Sequence, residues 1–193
     1  MKKIAIFASG SGSNAENIAR YFKNNKDIKV ELILSNRKNA YVLNRAAKLN
    51  IASHVFTKEE LYNTNKIKDL LLYKNIDLIV LAGFLLLIPK HLIKAFPDRI
   101  INIHPALLPK YGGKGMYGDR VHQKVLENGD KESGITIHYV NENYDEGQII
   151  HQSKFTIEAG DGVEDIAQKA HELEYKNYPK VIEKLLTEES GTT

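Results

Sequence analysis

The residues best suited to chemistry lie at the end of one apolar segment, in the run Asn102-Ile103-His104-Pro105. Residues two apart on a strand share a face, so Asn102 and His104 would project together from the carboxyl end of a buried strand. Ligands bind at that edge in open α/β sheets. A carboxamide beside an imidazole can donate hydrogen bonds to an oxygen that becomes negative during acyl transfer, and the imidazole can also move a proton.

A histidine in that role needs a carboxylate to orient it and set its charge, and Asp145 is the best candidate. It lies between two later β segments in the run Tyr144-Asp145-Glu146-Gly147, where Gly147 allows a sharp turn. Structural roles stay open at this point, with His104 as a core histidine that caps the strand and Asp145 as a turn residue. The chain has no cysteine and no serine in a nucleophile elbow, which favours direct transfer between two bound substrates over a covalent acyl-enzyme.

The other histidines give weaker signals. Strand alternation places His138 on the face opposite Ile137, which favours a structural role over a chemical one. Four more histidines show neither an HExxH motif nor a paired ligand spacing, namely His54, His91, His122 and His151. We therefore predict no metal site.

A second candidate site is the turn Ser9-Gly10-Ser11-Gly12-Ser13-Asn14, between a predicted strand and a predicted helix. Glycines let the backbone approach a ligand closely, and a helix N-terminus offers free N–H groups, a combination that favours phosphate. Gly10-x-Gly12-x-x-Ala15 also fits a dinucleotide fingerprint. However, the second strand ends in Leu34-Ser35-Asn36-Arg37 without an acidic residue for the ribose, so NAD is disfavoured and only NADP stays open. The remaining alternative is a plain turn capped by Ser13 or Asn14.

The length, charge and composition of the chain limit the classes of protein to which it can belong. The chain of 193 residues has a net charge of +3 at pH 7 and 42% hydrophobic residues, which predicts a single ordinary domain. Its lysines are scattered, without the basic block typical of nucleic-acid binding. No run approaches the ~20 apolar residues that cross a bilayer, and the lack of cysteine suits a reducing compartment, so we expect a cytoplasmic protein with no membrane partner. We expect the domain over 1–187 and a polar C-terminal tail over 188–193.

Alternating apolar runs and helical patterns predict βα units around a parallel sheet. The predicted strands lie at 3–8, 29–35, 52–56, 77–82 and 99–103, and the predicted helices at 13–25, 40–49, 58–74, 89–96 and 117–128. The segments SGITIHYV and GQIIHQSKF then look like an antiparallel pair. A last helix is predicted from an Asp161 cap, with a kink or restart at Pro179. The fold class is α/β, a Rossmann-like open twisted sheet that is mostly parallel with an antiparallel C-terminal part, and helices on both faces.

Taken together and in order, these motifs resemble the folate-dependent formyltransferases. The matching pieces are IAIFASGSGSN, LSNRKNAYVLNRA, DLIVLAGFL, INIHPALLPKY, LENGDKESGITIHYVNENYDEGQII and HELEYKNYP, which cover nearly the whole chain. The HPALLP core is shared across the family. The GSGSN turn and the compact length point to those members that act on glycinamide ribonucleotide.

The resemblance implies transfer of a formyl group from 10-formyltetrahydrofolate to the amino group of glycinamide ribonucleotide in de novo purine (IMP) biosynthesis. It implies a monomer or homodimer that acts on these small molecules without metal or nucleic acid. Direct attack by the amine would pass through a tetrahedral intermediate, whose oxygen Asn102 and protonated His104 hold while Asp145 relays the proton. The alternatives are a formyltetrahydrofolate hydrolase, a formyltransferase for another amine and, from a different class, an NADP-binding reductase or a non-catalytic nucleotide-binding module.

The resemblance also implies binding residues. Gly12, Ser13 and Asn14 match the loop that holds the substrate phosphate, and Glu174 and His171 match positions near the ribose and glycinamide end. The positions that match the folate site are Lys58, Leu85, Leu86, Leu87, Ile88, Asn102, Val140 and Asn141. The chain departs from many relatives, which carry Met-Arg where it has Leu85-Leu86, so one positive charge near the folate is missing. It also has Lys58 where relatives often have arginine, which weakens a bidentate grip on a folate carboxylate.

Overall fold

The computed structural model describes residues 1–188, and helices surround one seven-stranded sheet. The strands are β1 (Lys2–Phe7), β2 (Ile28–Ser35), β3 (Ala52–Val55), β4 (Leu78–Leu81), β5 (Ile100–His104), β6 (Glu132–Tyr139) and β7 (Ile149–Thr156). Their order is β3-β2-β1-β4-β5-β6-β7; β1 to β5 are parallel, whereas β6 runs antiparallel to both of its neighbours. The predicted fold class is confirmed.

Helices cover both faces of this sheet. They are α1 (Ser13–Tyr21), α2 (Tyr41–Lys48), α3 (Lys58–Tyr62), α4 (Lys66–Tyr73), α5 (Lys90–Ala95), α6 (Asp119–Glu127) and α7 (Val163–Glu188). The last four residues of β1 are fully buried and show how the core is divided: Ile4 and Ile6 pack beneath α1, α2 and α7, whereas Ala5 and Phe7 pack beneath α3, α4 and α5. Burial on both faces explains why the parallel strands read as continuous apolar runs.

The helix predicted over 58–74 is in fact two helices. Thr57 and Glu60 form a capping box that starts α3, since each side chain accepts from the other residue's backbone N–H. The Thr64 hydroxyl then donates to the Glu60 carbonyl at 2.8 Å and accepts from the Lys66 N–H at 3.2 Å, so it ends one helix and begins the next. Local side-chain bonds of this kind compete with a continuous helix.

Helix α7 runs unbroken through Pro179, so the predicted restart is wrong. A proline in a helix deprives the carbonyl four residues earlier of its donor. Here that carbonyl belongs to Tyr175, and the Asn17 side chain of α1 donates to it at 3.0 Å. A side chain of the neighbouring helix thus supplies the donor that Pro179 lacks.

The predicted Asp161 cap is also wrong. Its carboxylate accepts from the Glu158 N–H at 2.9 Å and from Lys169 Nζ at 2.6 Å, and so closes the preceding turn. Residue 188, the first of the predicted tail, is the last residue of α7, and residues 189–193 lie outside the described part of the chain. No helix within residues 1–188 has the length and apolar character needed to span a membrane.

Candidate active site

The carboxyl end of β5 carries Asn102 and His104 into the wall of a cavity of about 590 Å³. Segments that follow β1 and β4 also line this cavity, so it lies where the order of the sheet reverses, as expected for an open α/β fold. His104 is buried, with 3% of its surface exposed. The two side chains predicted to share a face therefore do so, at the predicted edge.

Asp145 reaches the same point from the loop between β6 and β7. Its carboxylate accepts from the Gly113 N–H at 2.9 Å and from Asn102 Nδ2 at 3.4 Å, and Oδ2 lies 3.5 Å from His104 Nδ1. The residue adopts a left-handed conformation with φ +57°. The turn requires Gly147, because a Cβ there would overlap the carbonyl oxygen of Tyr139. The structure thus brings the three predicted catalytic residues together.

The charges of the two titratable groups follow from burial and from each other. Burial raises the pKa of the Asp145 carboxyl, but the neighbouring imidazoles of His138 and His104 and the hydrogen bond from the Gly113 N–H together outweigh it and lower that pKa below its usual value. Burial lowers the pKa of His104, and the nearby carboxylate opposes it only in part. Asp145 is therefore ionised at neutral pH, and the His104 imidazole is neutral in the protein without substrate.

The hydrogen bonds of His104 indicate which ring nitrogen holds the proton. Nε2 lies 2.8 Å from the carbonyl oxygen of Tyr111, which only accepts, so Nε2 donates. In the neutral ring Nδ1 then carries a lone pair and faces the Asp145 carboxylate. This arrangement is built to take up a proton at Nδ1, because the resulting imidazolium would pair with Asp145 at once.

His138 belongs to this cluster, although strand alternation favoured a structural role for it. It pairs with Asn102 across β5 and β6. Its Nδ1 donates to the Tyr139 carbonyl at 2.8 Å, so Nε2 accepts from Asn102 Nδ2 at 3.3 Å and lies 3.6 Å from Asp145 Oδ1. His138 therefore orients the Asn102 carboxamide. The antiparallel register of β6 against β5 is the signal that could have revealed it.

The glycine turn leads into α1 without a side-chain cap. Gly12 occupies the N-cap position with φ +73°, and no side chain bonds to the first helical N–H groups, contrary to a cap by Ser13 or Asn14. The side chain of Asn14 instead donates from Nδ2 to Glu174 Oε2 at 2.7 Å. The free N–H groups and the partial positive charge of the helix end therefore face the cavity, which suits an anion.

Gly12 also offers a direct test of this turn. A Cβ at this position would overlap the buried Val42 side chain, and the left-handed backbone disfavours any L side chain. We expect Gly12→Ala to lower the free energy of unfolding by about 1–3 kcal/mol and to raise the KM for the phosphorylated substrate. Gly10→Ala is the matched control, because nothing lies within 4 Å of a Cβ there. Denaturant unfolding and kinetics measure both effects, and equal stability of the two variants would contradict the prediction.

Glu174 and His171 lie on α7 beside this turn. The Glu174 side chain is buried and accepts from Asn14, and its Oε2 lies 2.9 Å from His171 Nδ1. The hydrogen bond to Glu174 raises the pKa of His171 above its ordinary value, although partial burial opposes it. The structure therefore joins the residues predicted for the phosphate and for the sugar end into one polar wall.

Most of the residues predicted for folate line the same cavity, namely Leu85, Leu86, Leu87, Ile88, Asn102 and Val140. Lys58 does not: it is exposed at the start of α3. Asn141 does not line the cavity either, and its side-chain oxygen accepts from the Asn143 N–H within the loop. The Leu85 N–H donates to Ser9 Oγ at 3.1 Å, which ties the apolar wall to the glycine turn.

Comparisons with known proteins agree with this geometry. The family model described as formyl transferase matches residues 2–182. The chain is 42% identical over 189 residues to the chloroplastic phosphoribosylglycinamide formyltransferase of Arabidopsis thaliana, covering 94% of this chain and 64% of that protein. It is 39% identical to the phosphoribosylglycinamide formyltransferase of Bacillus subtilis, covering 96% of this chain and 95% of the relative. The crystal structure of the Bacillus halodurans phosphoribosylglycinamide formyltransferase superposes with a TM-score of 0.85 at 34% identity, over 96% of this chain and 95% of that one.

Proposed function

The chain belongs to the formyl transferase family, and we propose that it transfers a formyl group from 10-formyltetrahydrofolate to the amino group of glycinamide ribonucleotide in de novo purine biosynthesis. The observation that carries the proposal is the meeting of Asn102, His104 and Asp145 in the wall of one cavity. The names of the similar proteins support the choice of substrates.

The cavity suits two substrates of opposite character. Its volume of about 590 Å³ lies within the range of small-molecule sites. The leucines of the segment 85–88 form an apolar wall for a ring system, whereas the N-terminus of α1 faces the same space with free N–H groups. 10-formyltetrahydrofolate supplies the formyl group when it is bound. Asn102, His104 and Asp145 line the same cavity as the apolar wall and the N-terminus of α1.

Each residue of the cluster has one task. The Nδ2 group of Asn102 donates to the formyl oxygen as that oxygen becomes negative, since its contacts of 3.3 and 3.4 Å with His138 and Asp145 are long and yield to a better acceptor. His104 takes up the amine proton at Nδ1, and ionised Asp145 stabilises the imidazolium. The proton then passes to the folate nitrogen as its bond to the formyl carbon breaks, and tetrahydrofolate leaves. The Gly113 N–H holds the carboxylate in place at 2.9 Å.

An assay of absorbance with 10-formyltetrahydrofolate, run with and without glycinamide ribonucleotide, tests the proposed function. We expect turnover only when the ribonucleotide is present. Turnover without it would show that water is the acceptor and that the protein is a hydrolase, and turnover only with another amine would show a different formyltransferase. No turnover under any of these conditions would overturn the proposal, and a saturable titration with NADPH would then favour the reductase.

We propose a cytoplasmic enzyme that works as a monomer or a homodimer, without a metal. We also propose Lys58 and Asn141 as folate residues, although neither lines the cavity.

A further inference from the structure

The segment that follows β5 contacts both His104 and Asp145 through its backbone. The Tyr111 carbonyl accepts from His104 Nε2 at 2.8 Å, and the Gly113 N–H donates to the Asp145 carboxylate at 2.9 Å. The first contact decides which nitrogen of the neutral ring keeps a lone pair, and the second fixes the carboxylate that faces this lone pair. The conformation of residues 111–113 therefore sets the geometry of the proton acceptor.

Tyr111 has a backbone conformation that a bulky residue rarely adopts. Its φ is +57°, in the left-handed region. Among residues 1–188 five non-glycine residues have a positive φ, and Tyr111 is the only one of them that is neither asparagine nor aspartate, the two types that tolerate it best. Strain of this kind clusters at functional sites and persists only where other contacts outweigh its cost. The contacts of the tyrosine side chain are therefore the next evidence to consider.

The phenol of Tyr111 is anchored at the end of α6. Its hydroxyl donates to Asp130 Oδ2 at 2.9 Å and accepts from Asn128 Nδ2 at 2.8 Å, so it is paired both as a donor and as an acceptor. Both anchors belong to a turn whose backbone N–H groups, at residues 128–130, donate to carbonyls in the last turn of α6. The phenol thus ties the strained backbone of Tyr111 to a fixed helix end.

The part of the segment before Tyr111 is held by different contacts. The Thr136 hydroxyl of β6 accepts from the Leu108 N–H at 3.0 Å and donates to the Ala106 carbonyl at 2.7 Å. The Gln152 side chain of β7 donates to the Leu108 carbonyl at 3.0 Å. None of these contacts involves the phenol. Loss of the phenol hydroxyl should therefore release Tyr111 without unfolding the segment.

We propose that Tyr111 is a positioning residue for His104. Its phenol, held by Asn128 and Asp130, keeps the backbone carbonyl of Tyr111 against Nε2 of the ring. The proton of the neutral ring then stays on Nε2, and the lone pair of Nδ1 faces Asp145. The inference rests on the proposed function, in which that lone pair takes up the proton of the attacking amine.

Tyr111→Phe tests this role, because it removes only the hydroxyl. We expect kcat to fall about 5- to 100-fold while the KM for each substrate stays within about twofold, since a misplaced group costs rate and not binding. Nitrogen NMR of the His104 ring, without substrate and at a pH where the ring is neutral, gives the second readout. The proton should reside on Nε2 in the unaltered protein and be shared with Nδ1 in the variant. A hydroxyl with a merely structural role would not move this ratio.

Tyr21→Phe is the matched control for that substitution. The Tyr21 hydroxyl also donates to a carboxylate, that of Glu183 at 2.6 Å, and the residue does not line the cavity. Tyr21→Phe therefore loses a bond of the same chemistry away from the site. Its kcat and the position of the His104 proton should equal those of the unaltered protein.

Two substitutions at Asp130 test the anchor itself. Asp130→Asn retains an acceptor oxygen for the phenol and should keep most of the activity, whereas Asp130→Leu should lose about as much kcat as Tyr111→Phe. Both remove the charge that lies 3.3 Å from Lys110 Nζ, so the difference between them reports the phenol contact alone. This pair also provides both readouts if Tyr111→Phe does not fold, which denaturant unfolding would show.

The two readouts separate this inference from the proposed function. A folded Tyr111→Phe protein whose His104 proton stays on Nε2 would overturn the positioning role, whatever its kcat. A proton shared between the two nitrogens with kcat within about threefold of the unaltered protein would also overturn it. The turnover assay on the unaltered protein judges the proposed function by itself, because the ring is measured without substrate.

Discussion

Replacing Asn102 with alanine is expected to lower kcat about a hundred- to a thousandfold, the usual cost of losing one preorganised donor to a developing oxyanion. The KM for each substrate should change little, because the amide acts on charge that appears only during the reaction. The side chain is only partly buried and its contacts with His138 and Asp145 are long, so the fold should tolerate the change. Steady-state kinetics with both substrates measures the effect.

Asn63→Ala is the matched control for that substitution. Asn63 is an exposed asparagine at the end of α3, and its amide bonds only to the neighbouring Glu59 side chain at 2.7 Å. Its kcat should equal that of the unaltered protein. A folded Asn102→Ala protein with kcat within about threefold of the control would show that Asn102 is not an oxyanion donor.

The position of Asn102 and His104 was predictable from the sequence because strand geometry alone decides it. An apolar run long enough for one buried strand ends in the two polar residues, and alternation puts both on one face. Asp145 was predictable only as a candidate. Its approach depends on how β6 and β7 pair and on the left-handed turn at φ +57°, which together fix where the loop points.

Other parts of the site depended on partners far away in the chain. The sequence suggests Asn14 as a helix cap, but in the structure its side chain donates a hydrogen bond to Glu174, which lies 160 residues later in the chain. His138 reads as structural until the register of β6 against β5 sets it opposite Asn102. The run of α7 through Pro179 depends in the same way on Asn17, which supplies a donor from another helix. Local pattern gives the elements, whereas tertiary contacts decide what each polar side chain does.

The apolar wall of the cavity, formed by the segment 85–88, contains one of the departures from the family pattern. Leu86 lines the cavity where many relatives carry arginine, and Lys58 lies outside it. Close by in the chain, Lys90 of α5 forms an ion pair with Glu142 of the loop that carries Asp145, with 2.5 Å between Nζ and Oε2. The segment 85–88 thus adds no charge to the cavity wall.

Asp145→Asn is expected to lower kcat about a hundred- to ten-thousandfold, the usual range for losing a group that assists proton transfer. Asparagine tolerates the left-handed backbone at this position, so the substitution removes the charge and keeps the turn. Without the carboxylate, an imidazolium at His104 would lack its partner 3.5 Å away. The proton of the attacking amine would then have no stabilised acceptor.

The sign of the accompanying pKa change distinguishes this role from a structural one. Burial lowers the pKa of His104 and the charge of Asp145 raises it, so Asp145→Asn should lower it further. An NMR titration of the His104 ring measures this shift, and denaturant unfolding checks that the turn persists. Asp98→Asn is the matched control, since Asp98 is an exposed aspartate that also has a left-handed backbone, with φ +53°. A His104 pKa that stays constant or rises in Asp145→Asn would show that the carboxylate does not stabilise the imidazolium, and the proton would then need another route out of the site.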